Sequence, residues 1–306
     1  TCIFYYLSSY IYKIINITTM KSLLIISILC ISLLSHIMQA QDIPSTDPNI
    51  FDPPKNPCDI YNKTNIENRK PIQYTYLREG DVAWQKRTWR DIDMREKQNL
   101  PLYYPIEFNP CRTSLFQAIT KNILNGNIIA FADEEFLQPY EFSEIRKKLV
   151  TIDTVEQVIY TPEGEEKTQR VPVMDSTSIY RRILKFRLKE DWFFDKQKST
   201  LECRIIGIAA FEYIEEKEAF KELFWVYFPS CRPYFAINDV YNFKNDSERR
   251  SLDDIFWKRQ FASAIVKESN VYDRFINEYQ KGIDALVESD NIKGQIFKWE
   301  HDLWNY

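Results

Sequence analysis

Three pairs of adjacent acidic residues come closest to acid–base chemistry in this chain: Glu134-Glu135, Glu190-Asp191 and Asp253-Asp254. A glycosidase uses two carboxyl groups, which the fold holds about 5 to 9 Å apart. Neighbouring residues of a strand face opposite sides of a sheet, so Glu190 and Asp191 cannot both reach one bond. Acids in a first helical turn are favoured by the helix dipole alone, which accounts for Asp253 and Asp254. The pairs therefore predict no catalytic site.

Histidine and glycine usage excludes several other kinds of site. Only His301 lies beyond the first 40 residues, so no imidazole triad and no multi-histidine metal site is supported. The chain has 6 glycines, no GxGxxG or GxxxxGK[ST] string and no DxDxDG calcium loop. We therefore predict no enzyme activity, no catalytic residue, no metal and no cofactor.

The first 40 residues are interpreted as targeting sequence. Residues 1–19 begin with Thr and are interpreted as upstream translation. Met20 and Lys21 precede an apolar run at 23–34 and the small-residue pattern Met38-Gln39-Ala40, which predicts a signal peptide over 20–40. The apolar run is short for a bilayer span of ~20 residues, so we expect no membrane span, although an uncleaved anchor stays open as an alternative.

Charge and cysteine content restrict the partners and the redox chemistry. The net charge is −4 without a basic block, which predicts no nucleic-acid binding. Cys58, Cys111, Cys203 and Cys231 remain beyond the leader and allow three full pairings in an oxidising compartment. Cys203 and Cys231 lie in apolar, strand-like runs, so two buried thiols are the alternative.

The positions that follow the leader predict an extended arm and then an α+β domain. Residues 41–73 are rich in Pro, Asn and Asp and predict an arm, and the domain spans 74–306. Within 152–173 two strands with a turn at 161–164 predict a projecting hairpin. Helices are predicted over 115–124 and 142–149.

The centre of the chain predicts the sheet and its last third predicts helices. Residues 184–189 alternate apolar and charged side chains, whereas 205–211 and 223–228 are apolar on both faces and belong in a covered sheet. A capping box at 251–254 starts a helix expected to continue through Val266, and apolar spacing predicts a second helix over 272–287. The class is therefore α+β, with an antiparallel or mixed sheet and a helical C-terminal third.

The segment KEDWFFDKQK at 189–198 continues the alternating strand. Its period predicts Glu190, Trp192 and Phe194 facing inward, so Trp192 and Phe194 are expected to be core or to cover it. Phe193 is expected to face outward unless a partner or a kink covers it. Charge-framed aromatic residues are common in interfaces, so we predict partner binding by Trp84, Trp89 and Phe193.

The chain from about 81 to 306 resembles the GldN/PorN family of the gliding motility and type IX secretion machinery of Bacteroidota. The resemblance is carried by these stretches, in this order: Trp89–Lys97, Lys189–Lys196, Arg204–Ile208, Asn242–Asp246, Lys267–Arg274, Lys281–Leu286 and Glu300–Trp304. The arm at 41–73 and the hairpin at 152–173 carry little of it.

The resemblance implies a non-enzymatic periplasmic subunit that is peripheral to the outer membrane. Its implied partners are copies of itself in a ring, the outer-membrane lipoprotein GldK/PorK and the motor proteins GldL and GldM. The alternative function is a periplasmic glycan-binding module. A glycan binder is expected to present a concave aromatic cleft, whereas an assembly subunit leaves apolar surface uncovered when isolated.

Overall fold

The computed structural model describes residues 68–149, 151–160, 166–175, 177–243, 245, 248 and 250–303. The predicted upstream segment 1–19, the signal peptide 20–40, the arm up to residue 67 and the turn at 161–164 lie outside the described residues. Within the described ranges, no helix combines the length and the apolar character that a bilayer crossing requires.

Short helices and longer strands make up the described chain. The helices are α1 (Leu100–Tyr103), α2 (Leu115–Leu124), α3 (Phe142–Leu149), α4 (Thr177–Arg182), α5 (Phe228–Ile237), α6 (Leu252–Trp257), α7 (Ile276–Tyr279) and α8 (Ile283–Asp302). The strands are β1 (Val82–Asp93), β2 (Ala130–Phe131), β3 (Thr151–Tyr160), β4 (Glu166–Asp175), β5 (Ile183–Asp195), β6 (Thr200–Ile214), β7 (Ala219–Tyr227), β8 (Asp239–Val240), β9 (Arg250–Ser251) and β10 (Ala264–Glu268).

A six-stranded sheet in the order β10-β1-β5-β6-β7-β2 is the frame of the fold. Each neighbouring pair in it is antiparallel. β3 pairs with β4 in a separate two-stranded sheet, from Thr151 opposite Asp175 to Tyr160 opposite Glu166. The combination of this sheet with helices confirms the predicted α+β class, and the sheet is antiparallel.

Two predicted helix starts are built as capping boxes. The Ser114 hydroxyl accepts a hydrogen bond from the Gln117 backbone N–H, and the Gln117 side chain accepts one from the Ser114 N–H. Ser251 and Asp254 exchange the same two bonds at the start of α6. These bonds satisfy backbone donors that a helix start otherwise leaves unpaired, so the local sequence sets both starts.

The sheet is covered on both faces. On one face, helices α2, α5 and α6 enclose an apolar core around Ile92, Phe186, Leu188, Ile208 and Phe224. On the other face, a smaller cluster consists of Trp89, Ala209, Phe211 and Trp225, with Phe131 and Phe136 packed against it. Double coverage is what the two-sided apolar composition of β6 and β7 predicts.

The C-terminal third differs from the helices predicted there. The helix that starts at Leu252 ends at Trp257, where Arg259 adopts a positive φ of 53°, and Val266 lies in strand β10 instead. β10 pairs with the outer side of β1, so pairing with a distant strand overrides the local helical pattern. The second predicted helix is divided at Gly282, with φ 62°, into α7 and α8.

The cysteines divide into two states. Cys203 and Cys231 are free thiols, as in the alternative that left them unpaired, and Cys231 is buried in helix α5 rather than in a strand. The predicted strand over 223–228 ends at Tyr227, because Pro229 occupies the first turn of α5. Cys111 is disulfide-bonded.

Candidate interaction surface

The three aromatic residues predicted to bind a partner lie at different depths. Trp89 is 5% exposed, and its Nε1 donates a hydrogen bond of 2.7 Å to Glu134. Phe193 is 3% exposed and lies under the Arg204 guanidinium, whose Cζ is 4.9 Å from the ring centroid. Trp84 is half-buried and stacks on Trp299. The expected outward exposure of Phe193 is therefore wrong, while partner binding by these residues stays a prediction.

Phe193 is buried beneath the Arg204 side chain of β6, and not because the strand changes its facing. Leu188, Glu190 and Trp192 lie opposite Arg90, Thr88 and Lys86 on β1 without a register shift. The alternation of β5 therefore continues as predicted. On the opposite face, Lys189 is also buried, where its Nζ donates to the Glu134 carbonyl and lies 3.0 Å from Glu135.

The carboxylate pairs are engaged in structural contacts. Glu190 and Asp191 point to opposite faces: Glu190 lies between two arginines, and Asp191 accepts two hydrogen bonds from Arg87. In the third pair, Asp253 accepts two bonds from the buried Arg232, at 2.8 and 3.1 Å.

The remaining acids are held in the same way. Asp254 closes the cap of α6 and contacts Arg69. Each of the six carboxylates has a structural partner, so their geometry offers no acid and base facing one bond.

A buried ionic cluster lies under the first turn that follows α6. Glu190 is 0% exposed and forms ion pairs of 3.0 Å with both Arg90 and Arg259. Arg259 Nη1 also lies 3.2 Å from the Cys203 sulfur. Burial, reinforced by the nearby Glu190 charge, raises the pKa of the Cys203 thiol well above its ordinary value. The thiol is protonated at neutral pH and is therefore a poor nucleophile.

A cavity of about 440 Å³ lies beside this cluster, and the extended segment 72–75 forms one of its walls. Its aromatic lining includes Tyr74, Trp192 and Trp257. The Arg232 Cζ lies 4.4 Å from the Tyr74 ring centroid, and the Arg259 Cζ lies 5.0 Å from that of Trp192. Sugar stacking needs an open aromatic face, whereas guanidinium groups cover these two rings.

A second cavity, of about 580 Å³, is mainly apolar. Its lining includes Leu100, Pro101, Tyr104, Tyr241 and Phe243. Tyr104 is 54% exposed, so this part of the surface is apolar and open.

The C-terminal helix α8 carries apolar residues on two opposite sides. Its inner side is formed by Ile292 and Ile296, which are 2% and 6% exposed and pack beside Ile265 and Ile276. Buried Ser289 accepts a hydrogen bond of 2.7 Å from the Ile265 N–H, which attaches the helix to strand β10. The helix therefore covers the edge strand and limits its pairing with another chain.

The outer face of α8 is formed by Ile283, Leu286, Val287 and Phe297. Their side chains are 78%, 59%, 53% and 68% exposed. At about 100° of rotation per residue, they lie within about 100° of one another on the side opposite Ile292 and Ile296. Large apolar side chains exposed together mark an interaction surface. Sequence spacing predicted a helix with apolar residues at Ile283, Leu286 and Val287, but not that these three side chains stay exposed.

The chain was compared with known protein families and curated proteins. A family model described as "Gliding motility associated protein GldN" matches residues 77–305. The match covers most of the chain, including β1, the whole six-stranded sheet and α8. No curated protein gives a significant match.

Proposed function

Because the chain belongs to the GldN family, and is therefore a gliding motility and type IX secretion component, we propose that it is a non-enzymatic structural subunit of that machinery. In this proposal it lies in the periplasm, peripheral to the outer membrane. Copies of the chain form a ring with a GldK/PorK-like lipoprotein, and the ring meets motor proteins of the GldL and GldM type.

The outer face of α8 is the observation that carries this proposal. An enzyme needs ionisable groups that face a substrate, but the carboxylates in question bind neighbouring side chains. A subunit of an assembly needs surface that another protein covers, and the outer face of α8 supplies exposed apolar side chains. The exposed apolar cavity wall around Tyr104 and Phe243 provides a second surface of the same character.

The aromatic residues predicted from the sequence enter the proposal differently. Trp84 is half-buried and can touch a partner directly. Trp89 and Phe193 are inside the fold, so their contribution to binding is the shape of the surface above them. Replacing Trp84 with Ala is expected to weaken assembly with partners, whereas replacing Trp89 or Phe193 is expected to lower the stability of the fold first.

The proposal is tested by co-expressing the chain with the co-occurring outer-membrane lipoprotein and imaging the purified material by electron microscopy. We expect annular particles from the co-expressed sample and none from either protein alone. Leu286→Glu is the interface variant, and Gln197→Glu is its control, because residue 197 is exposed in the turn between β5 and β6, outside α8. Two proteins that purify separately would contradict the proposed function.

A glycan-binding module is the second candidate, favoured by the aromatic residues in the cavity of about 440 Å³. The guanidinium groups of Arg232 and Arg259 lie over its Tyr74 and Trp192 rings, which weighs against sugar stacking. Screening the purified protein against a glycan array tests this candidate. Binding that is abolished by Trp257→Ala in a folded protein would favour it over the assembly role.

A further inference from the structure

We propose that two copies of the chain pair through the outer face of α8, antiparallel and about a two-fold axis at Asp290. This pairing rests on the assembly role proposed above and names the surface through which two copies meet. It is argued from three features of α8: the symmetric positions of Ile283 and Phe297, an unexplained glycine and the order of its charges.

Two apolar residues of the outer face, Ile283 and Phe297, lie at equal distances from Asp290, whereas Val287 has Lys293 at the matching distance. In an antiparallel pair with its axis at residue 290, each residue lies beside the one at the same distance on the other side of 290 in the second copy. Ile283 then lies beside Phe297 of the second copy, and Leu286 lies beside Gly294. An isologous interface requires this kind of self-complementarity, because the same residues form both of its sides.

Gly294 has no intramolecular role that the structure shows. A Cβ added there would meet nothing within 4 Å, so an alanine would fit. Glycine inside a helix destabilises it by roughly 0.5 to 1 kcal/mol relative to alanine. In the proposed pair Gly294 lies opposite Leu286 of the second copy. Because glycine has no side chain, it leaves space for the leucine and lets the helix axes approach.

The charges of α8 complement one another only when the two helices are antiparallel. Asp284 and Lys298 are exposed and lie within about 40° of each other around the helix axis, on one flank of the outer face. In an antiparallel pair the same flank of each helix meets its counterpart, so Asp284 of one copy lies near Lys298 of the other. The contact occurs twice. In a parallel two-fold pair the same flanks lie on opposite sides of the interface, so Asp284 and Lys298 of the two copies would not meet.

Residues of both charge signs lie near the two-fold axis. Asp290 of one copy faces Asp290 of the other, and two carboxylates facing each other are unfavourable. Exposed Lys293 lies one turn further along and reaches Asp290 of the second copy. The two lysines compensate the two acids, so the pair carries no uncompensated charge at its centre.

The first test is analytical ultracentrifugation of the purified full chain over a concentration series. We expect a monomer–dimer equilibrium with a dissociation constant in about the micromolar range. Leu286→Glu is expected to raise this constant at least about 100-fold. The contact between Leu286 and Gly294 of the second copy occurs twice in the pair, so the change places an acid in both contacts. The control Gln197→Glu adds the same charge at an exposed turn residue outside α8 and is expected to leave this constant unchanged. A wild-type chain that stays monomeric to about 100 µM, or a Leu286→Glu dimer of undiminished affinity, would overturn the pairing.

A charge exchange then tests the antiparallel order. Asp284→Lys and Lys298→Asp are each expected to raise the dissociation constant about tenfold, since each creates two like-charge contacts. The double variant restores the opposite charges and is expected to return to within a few-fold of wild type. A double variant that binds no better than the single variants would refute the proposed register.

The pairing and the proposed function fail in different ways. Annular particles formed with the lipoprotein by a chain that is monomeric alone would overturn the helix pairing and leave the assembly role standing. A chain that dimerises through α8 but never associates with the lipoprotein would support the pairing and contradict the ring role.

Discussion

The indole rings of Trp84 and Trp299 stack with their centroids 4.7 Å apart and their planes inclined by 18°. Phe194 meets Trp299 edge-on at 5.5 Å, so β1 and β5 share one contact to helix α8. The contact fixes the C-terminal half of α8 against the sheet. The outer face of α8 therefore depends on residues on its opposite side.

Replacing Trp299 with Ala should lower the free energy of unfolding by about 2 to 3 kcal/mol, less than a fully buried tryptophan because the residue is half-buried. Urea denaturation followed by circular dichroism measures the change. Phe297→Ala is the control, since Phe297 is 68% exposed two positions away, and its effect on the monomer should stay within about 0.5 kcal/mol. Equal losses from both variants would show that α8 is not held by this stack.

Glu190→Gln should destabilise the fold by about 3 to 5 kcal/mol, because it leaves the buried guanidinium group of Arg90 and the half-buried one of Arg259 without their carboxylate. Asp191→Asn is the matched neighbour, and its partner Arg87 has a side chain 36% exposed. That substitution should cost no more than about 1 kcal/mol. Chemical denaturation of the two variants measures both losses in the free energy of unfolding. A loss for Glu190→Gln as small as that for Asp191→Asn would contradict a buried ionic cluster.

The stability of the protein should fall at alkaline pH through Cys231. Burial raises the pKa of its thiol from 9.0 to about 12. The thiol of the unfolded chain therefore ionises first as the pH rises, so this contribution to stability is complete below pH 9 and is lost between 9 and about 12. Between pH 8 and pH 10, wild type should lose roughly 1.4 kcal/mol more than Cys231→Ala, which has no thiol to ionise.

Denaturation of both proteins at several pH values measures this difference. The cavity that Cys231→Ala creates lowers stability at every pH. The comparison therefore uses the slope of the free energy of unfolding against pH and not its absolute value. Two parallel curves would mean that the thiol is not buried in the folded chain.

Gly207→Ala should lower the free energy of unfolding by about 1 to 3 kcal/mol. A Cβ at this position would lie 2.5 Å from Cζ of Phe136, which packs on the second face of the sheet. Gly80→Ala is the control, because a Cβ there would meet nothing within 4 Å. Thermal unfolding of both variants measures the difference. A Gly207→Ala protein as stable as wild type would show that Phe136 moves aside without loss.

A double-mutant cycle identifies the contact responsible. Combining Gly207→Ala with Phe136→Leu removes the ring that the new methyl group meets. The double variant should then lose less stability than the sum of the two single losses.

Much of the secondary structure could be predicted because its causes are local. The helix over Leu115–Leu124 has the predicted bounds, since the Ser114 and Gln117 side chains satisfy its first backbone donors. The alternation through 184–194 was predicted for the same reason, because side chains of a strand change face at every residue. The residue stretches that resemble the GldN family also sufficed to indicate the family that the comparison shows.

The sequence alone did not determine which surfaces are covered. Phe193 follows the predicted alternation but is buried, because the Arg204 side chain lies over its ring. Val266 lies in a strand because its neighbours Ile265 and Lys267 pair with Arg90 and Trp89 of β1, some 175 positions earlier in the chain. Both outcomes depend on contacts between distant segments, which short-range patterns do not contain.

The interaction surface shows the same division between local pattern and tertiary structure. The apolar spacing of 272–287 determined that a helix with an apolar stripe would form in this region. Only the tertiary structure decided that α8 docks through Ser289, Ile292 and Ile296, and that Ile283, Leu286 and Val287 remain in solvent. The physical reason is that periodicity defines the faces of a helix, while the free energy of burying a face depends on what the rest of the chain places beside it.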